Sequence, residues 1–203
     1  MGGGAGGGGV DGVGRMAGVV VAGDSIAGEI ARTPALVGCR CVAENGSRFG
    51  QVAQQLSGVD AASSSKATTT QTTTLVVCSG GNDGVSVVEE VQKHYNNIVG
   101  AKSKRWPNAN LLFLRPGWST VGGSELASLD AARWLEGEGE TVRDVDGVAP
   151  SYGLVSTGRR RGAKRQRVAR HDKRLHYTVG NGGAPDGSAF LNAQIKGIMA
   201  SLP

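Results

Sequence analysis

The sequence predicts an α/β domain of three layers, with helices on both sides of a mostly parallel five-stranded sheet. Three observations carry this. Short β-branched or leucine-rich runs recur along the chain, at Met16–Ala22, Val37–Ala43, Leu75–Cys78, Asn110–Leu114 and Thr141–Val145. Segments with helical spacing separate them, so strands and helices alternate throughout. Aromatic residues make up only 4% of the 203 residues, so the core must rest on Val, Leu, Ile and Ala, which suits a sheet buried on both faces.

Residues 1–14 are mostly glycine and have little to bury, so the domain is expected over 15–203 with a disordered tail before it. Met16–Ala22 reads as the first strand, and Gly23-Asp24-Ser25 as the turn after it. Ile26–Thr33 has helical spacing and stops at Pro34. Val37–Ala43 is the second strand, Glu44–Gly50 a loop rich in Asn, Gly and Ser, and Gln51–Leu56 a short helix. Residues 60–74 (DAASSSKATTTQTTT) form a polar low-complexity loop. The third strand, Leu75–Cys78, runs into Ser79–Gly84 (SGGNDG), a dense turn signal. Val85–Val99 is the longest helical candidate, with Val88, Val91, Tyr95 and Ile98 on one side. Strand Asn110–Leu114 ends at Pro116-Gly117, helix Leu126–Leu135 follows, and Thr141–Val145 closes the sheet. A basic loop over 147–171 leads to a terminal amphipathic helix, Gly187–Leu202, with Phe190, Ile195, Ile198 and Met199 on its apolar side.

The formal charge of +5 is local. Arg159–Arg174 holds nine Lys/Arg against the single acid Asp172, a net of +8, which leaves about −3 for the rest of the chain. This segment reads as a solvated insertion, as a phosphate or nucleic-acid contact, or as a recognition loop for an acidic substrate. No aromatic residues interleave its arginines, so stacking on single strands has no support. Cys39, Cys41 and Cys78 are an odd set that does not suit a disulfide framework, and their spacing supplies no zinc site. No basic-then-apolar secretory leader is visible, and Ala17–Ala22 is far too short to span a bilayer, so an intracellular protein without a membrane segment is expected.

In a parallel sheet the working loops lie at the carboxyl ends of the strands, so the loops beginning at Gly23, Glu44 and Ser79 can meet on one edge. Ser25 either caps the helix that it opens or serves as a nucleophile beside that helix end. Asn82 either shapes its turn or donates its amide to a developing oxyanion. Gly46 and Gly50 are turn glycines, or places where backbone comes close to a ligand. His176, just before the last helix, can act as a general base if its loop reaches Ser25, with Asp172 orienting its ring. His171 is a weaker base candidate within the charged segment, and His94 reads as a surface residue of its helix.

The combination resembles the SGNH (GDSL-like) hydrolase family. Gly23-Asp24-Ser25-Ile26 after a first strand is similar to the family's GDS(L) block, and Gly80-Gly81-Asn82-Asp83 after the third is similar to its G-x-N-D block. Asn45–Gly50 (NGSRFG) resembles the block with the oxyanion glycine, where Gly50 precedes the helix as in the family. Asp172–His176, ahead of a terminal helix, resembles the block of acid and base. It has one residue more than the family's D-x-x-H, and Tyr177 follows where proline is usual. The blocks stand in family order from Val19 to about Ala200. The resemblance implies a flavodoxin-like fold and a serine esterase, with a small acyl or acetyl group favoured. Ser25 would attack the ester, His176 would shuttle the proton with Asp172 as the triad acid, and Ser25 and Gly50 N–H with the Asn82 amide would hold the oxyanion. No metal or organic cofactor is implied.

Other classes remain. Some retroelement proteins carry an SGNH-type esterase, and Val85–Leu114 is loosely similar to theirs, so esterase chemistry and polyanion binding can coexist. An inactive SGNH fold used for polyanion or protein binding is a second alternative. A dinucleotide fold would need G-x-G-x-x-G after the first strand, where the chain has G-D-S-I-A-G, although Glu44 falls near the acid position. No G-x-S-x-G elbow and no P-loop motif occurs.

Overall fold

The computed structural model describes residues 16, 18–59, 73–115, 125–145, 154–156, 165–167, 170–171, 176–177 and 187–202. Five strands form one parallel sheet: β1 (Val19–Gly23), β2 (Arg40–Cys41), β3 (Thr74–Cys78), β4 (Asn110–Arg115) and β5 (Thr141–Asp144), in the order β2-β1-β3-β4-β5. The helices are α1 (Ser25–Ala31), α2 (Val52–Ser57), α3 (Val87–Arg105), α4 (Glu125–Gly137) and α5 (Gly187–Ala200). The architecture is the three-layer, flavodoxin-like α/β/α arrangement that the alternation of elements predicts.

Period-2 alternation sorts each central strand between two cores. Val20, Ala22, Leu75, Val77, Leu111 and Phe113 face α2, α3 and α4. Val19, Val21, Val76, Cys78, Leu112 and Leu114 face α1 and α5. Both faces are covered, which is why β1 and β3 are apolar at nearly every position and not at every second one. The terminal helix is tied to the 3₁₀ turn Pro34–Leu36 that follows α1, where Ala35 N–H donates to Asn192 Oδ1 at 2.8 Å.

Strand order explains where a site can form. From β1 the chain turns one way to β2 by α1, then crosses over β1 to β3 by α2 on the opposite face. The connection out of β1 runs by α1 to β2, and the one out of β3 runs by α3 to β4; they leave in opposite directions, which opens a crevice between the carboxyl ends of β1 and β3. Gly23–Ser25 and Ser79–Asn82 are the loops that border it.

Several boundaries differ from the pattern in the sequence. The second strand shrinks from Val37–Ala43 to Arg40–Cys41, because a 3₁₀ turn at Pro34–Leu36 takes up the chain before it. Helix α3 runs to Arg105, beyond Val99, since Lys102, Lys104 and Arg105 suit the negative end of a helix. Thr74 belongs to β3; residues 60–72 lie outside the described residues, as does the glycine-rich start. The segment expected as one basic loop contains paired strands: β6 (Leu154–Ser156) with β7 (Arg165–Arg167), and β8 (Arg170–His171) with β9 (His176–Tyr177), both antiparallel. Alternating Arg-Gln-Arg gave no apolar period by which to see them. Among the described residues, no helix is long and apolar enough to cross a membrane.

Candidate functional site

The turn after β1 is built on a glycine that no other residue can replace. Gly23 has φ +137°, and a Cβ there would stand 1.9 Å from the carbonyl oxygen of Cys78 on β3. The close approach lets Asp24 N–H donate to the same carbonyl at 3.2 Å. Asp24 then caps α1: its Oδ1 accepts from Ile26 N–H at 2.9 Å. The cap is therefore made by the residue before Ser25, and the reading in which the Ser25 hydroxyl serves as the cap is set aside. Ser25 is the first residue of α1 and is half-buried at the crevice.

Asp24 also spans the crevice. Its buried carboxyl accepts backbone N–H groups from Ile26 and Ala27 on its own helix and from Gly81 in the loop after β3. Burial lifts its pKa from the ordinary 3.8 to about 6, although those three N–H groups and the neighbouring charges act on it as well.

The loop after β2 is held from three sides. Gln55, a buried glutamine of α2, accepts from Gly23 N–H at 2.8 Å and donates through Nε2 to Gly23 O and to Ser47 Oγ, both at 2.9 Å. Glu44 N–H donates to Gly23 O at 3.0 Å. Asn82 Nδ2 donates to Ser47 O at 2.9 Å, and Asp83 Oδ2 accepts from Phe49 N–H at 2.9 Å. These bonds draw the loops of Ser25, Gly50 and Asn82 together at the β1/β3 crevice. One amide hydrogen of Asn82 is spent on Ser47; the second is left to donate elsewhere. Burial also raises the pKa of Asp83, against the Phe49 N–H that lowers it.

Gly50 is placed differently from Gly46. Gly46 answers only to its φ of +75°, with open space around it. A Cβ on Gly50 would meet His94 Nε2 at 2.9 Å. His94 is thus not the free surface residue that its helical position suggests. It is packed beneath the Gly50 turn and paired with Glu90 at 3.3 Å.

No family model matches the chain. No curated protein matches it either. The residues themselves must carry the functional argument.

Of the five residues given catalytic or oxyanion roles by the resemblance, Ser25 at the start of α1, Gly50 in the 3₁₀ turn Phe49–Gln51 and Asn82 in the turn after β3 lie at one sheet edge. Asp172 is outside the described residues. His176 is described through its backbone, at the start of β9, opposite His171 on β8. Nothing in the sequence marks Gln55, which looks like one more polar residue beside Gln51 and Gln54. Its single clue is that it falls between Val52 and Leu56 on the inward side of α2. Among the described residues no group of three His, Cys, Asp or Glu side chains is placed to hold a metal. A cleft of about 560 Å³ opens on the β2 side of Gln55, with Val42, Glu44, Gln51 and Gln54 among its walls.

Proposed function

We propose that the protein is a serine hydrolase that cleaves a carboxylic ester through an acyl-enzyme on Ser25, with small acyl groups favoured. The observation that carries this is the network of buried hydrogen bonds that brings the loops of Ser25, Gly50 and Asn82 to the β1/β3 crevice while Asp24 relieves Ser25 of capping. In this reading Ser25 Oγ attacks the ester carbonyl and His176 takes its proton. The N–H groups of Ser25 and Gly50 and the free amide hydrogen of Asn82 receive the oxyanion. His176 then returns the proton to the leaving alcohol, and water repeats the sequence on the acyl-enzyme. The polar cleft beside Gln55 offers room for one substituent of the ester.

The test is hydrolysis of p-nitrophenyl acetate. The wild type should turn it over, and Ser25→Ala and His176→Ala should not. Activity that persists in Ser25→Ala overturns the reading. Loss in Asp172→Ala marks Asp172 as the triad acid, and retained activity marks a Ser–His dyad.

The charge of Arg159–Arg174 supports a second role, contact with a nucleic acid or other polyanion. A salt-sensitive mobility shift with such a polymer should vanish when residues 159–167 are deleted, and binding that survives the deletion counts against it.

A further inference from the structure

We propose that Arg115, together with Ser79, forms an anion-recognition subsite beside the candidate nucleophile, so that the ester handled there carries a carboxylate or phosphate group. The proposal rests on the esterase reading for its substrate, but its anion site stands on separate observations.

Strand β4 is buried and apolar from Leu111 to Leu114 and then ends in an arginine. The Arg115 side chain is only 11% exposed. A guanidinium so placed, at the working end of an interior strand, must be compensated. Asp144, its register partner on β5, supplies part of this by bonding Nη2. The other arm is left over: among the described residues, Nη1 is buried and has no hydrogen-bond partner.

Ser79 Oγ is in the same condition, buried and unpartnered among the described residues. The two belong together. β3 and β4 are paired as far as Val77↔Phe113, and Ser79 is the first residue past the end of β3, next to the strand that ends in Arg115. Alternation along β4 puts Arg115 on the α3 and α4 side, the side of Phe113. The carboxyl ends of two adjacent strands thus carry an unsatisfied donor arm and an unsatisfied hydroxyl, with Asp144 bonded to the guanidinium. Buried polar groups are costly to leave unpaired, and a bound oxyanion would satisfy both at once. Arg115 stands two strands from β1, about 10 Å across the sheet. The anionic group would therefore sit a short linker away from a carbonyl held at Ser25.

The experiment uses the full chain. The kcat/KM of mono(4-nitrophenyl) glutarate is compared with that of neutral 4-nitrophenyl butyrate, for wild type and Arg115→Gln. Melting temperature is followed separately with glutarate and with inorganic phosphate. Arg115→Gln should lower kcat/KM on the anionic ester by about 10-fold or more, the ordinary scale for one charge-assisted hydrogen bond, and leave the neutral ester unchanged. At least one anion should raise the melting temperature of wild type and not of the variant; glutarate alone points to a carboxylate, and phosphate alone to a phosphate. Equal loss on both esters makes Arg115 structural and overturns the proposal. So does the absence of any anion-dependent shift, which would leave an internal water or a bare ion pair. If neither ester is hydrolysed by wild type while an anion still stabilises it through Arg115, the esterase reading fails and the subsite stands. If Arg115→Gln does not fold, Arg115→Gln/Asp144→Asn, which leaves no unpaired carboxylate, carries the same comparison.

Discussion

The loops of Ser25, Gly50 and Asn82 follow β1, β2 and β3, and buried side chains tie them to those strands. His176 sits on a two-residue strand whose ladder is shared with β8 alone. The first group inherits its place from the sheet: a short turn cannot wander when Gly23 is pressed on Cys78 and Gln55 binds both its N–H and its carbonyl. The second is separated from the sheet by a long stretch of chain after β5. The proposed nucleophile and oxyanion side is thus a consequence of the fold, whereas the proposed base is an addition to it. Changes on the sheet side should therefore move rate and stability together, and changes at Asp172 or His176 should move rate alone.

The largest effect that sharpens this contrast is expected at Asn82. Asn82→Ala removes the amide proposed for the oxyanion and the bond to Ser47, and should lower kcat by about 10²–10³ with a measurable drop in melting temperature. A rate loss with no change in stability would separate the amide from the loop network.

A second effect comes from Asp24. Its folded pKa, about 6, lies above its ordinary 3.8. Ionising it therefore costs the fold more than it costs the unfolded chain. Its favourable contribution is complete below about pH 3.8 and is lost as pH rises through 6. The difference between the two limits is on the order of 3 kcal/mol. Urea unfolding of wild type and Asp24→Asn between pH 4 and about 7 isolates this term. The wild type should lose stability relative to the variant as pH rises. Parallel pH profiles would mean that the hydrogen bonds from Ile26, Ala27 and Gly81 balance burial.

Gln55→Ala should have the smallest effect. It leaves the buried Gly23 N–H without its side-chain partner and frees Ser47, for about 1–3 kcal/mol of stability. Chemical denaturation measures it, and an unchanged midpoint would show that the loop is held by the sheet backbone alone.

Much of the fold was legible because its signals are local. Apolar runs between helical periods gave the five strands of the parallel sheet and the five helices α1–α5 within a few residues, except for the end of α3, which runs past Val99 to Arg105. Asp24 and Asp83 were visible as parts of short motifs, but their work was not. Which turn aspartate caps a helix and which receives Phe49 N–H depends on a neighbour far away in sequence. Gln55 and His94 were hidden for the same reason: a polar residue on a helix gives no sign of a buried partner. Arg115 lies one residue past the strand expected at Asn110–Leu114, and its interest comes only from the pairing with β5 and the unpartnered Nη1.

The most direct test of the central claim is covalent. The intact chain is treated with a fluorophosphonate and the modified residue is mapped by mass spectrometry. The account predicts a single adduct on Ser25, absent from Ser25→Ala and abolished when the wild type is first unfolded. An unlabelled wild type, or equal labelling of Ser25→Ala, would contradict it.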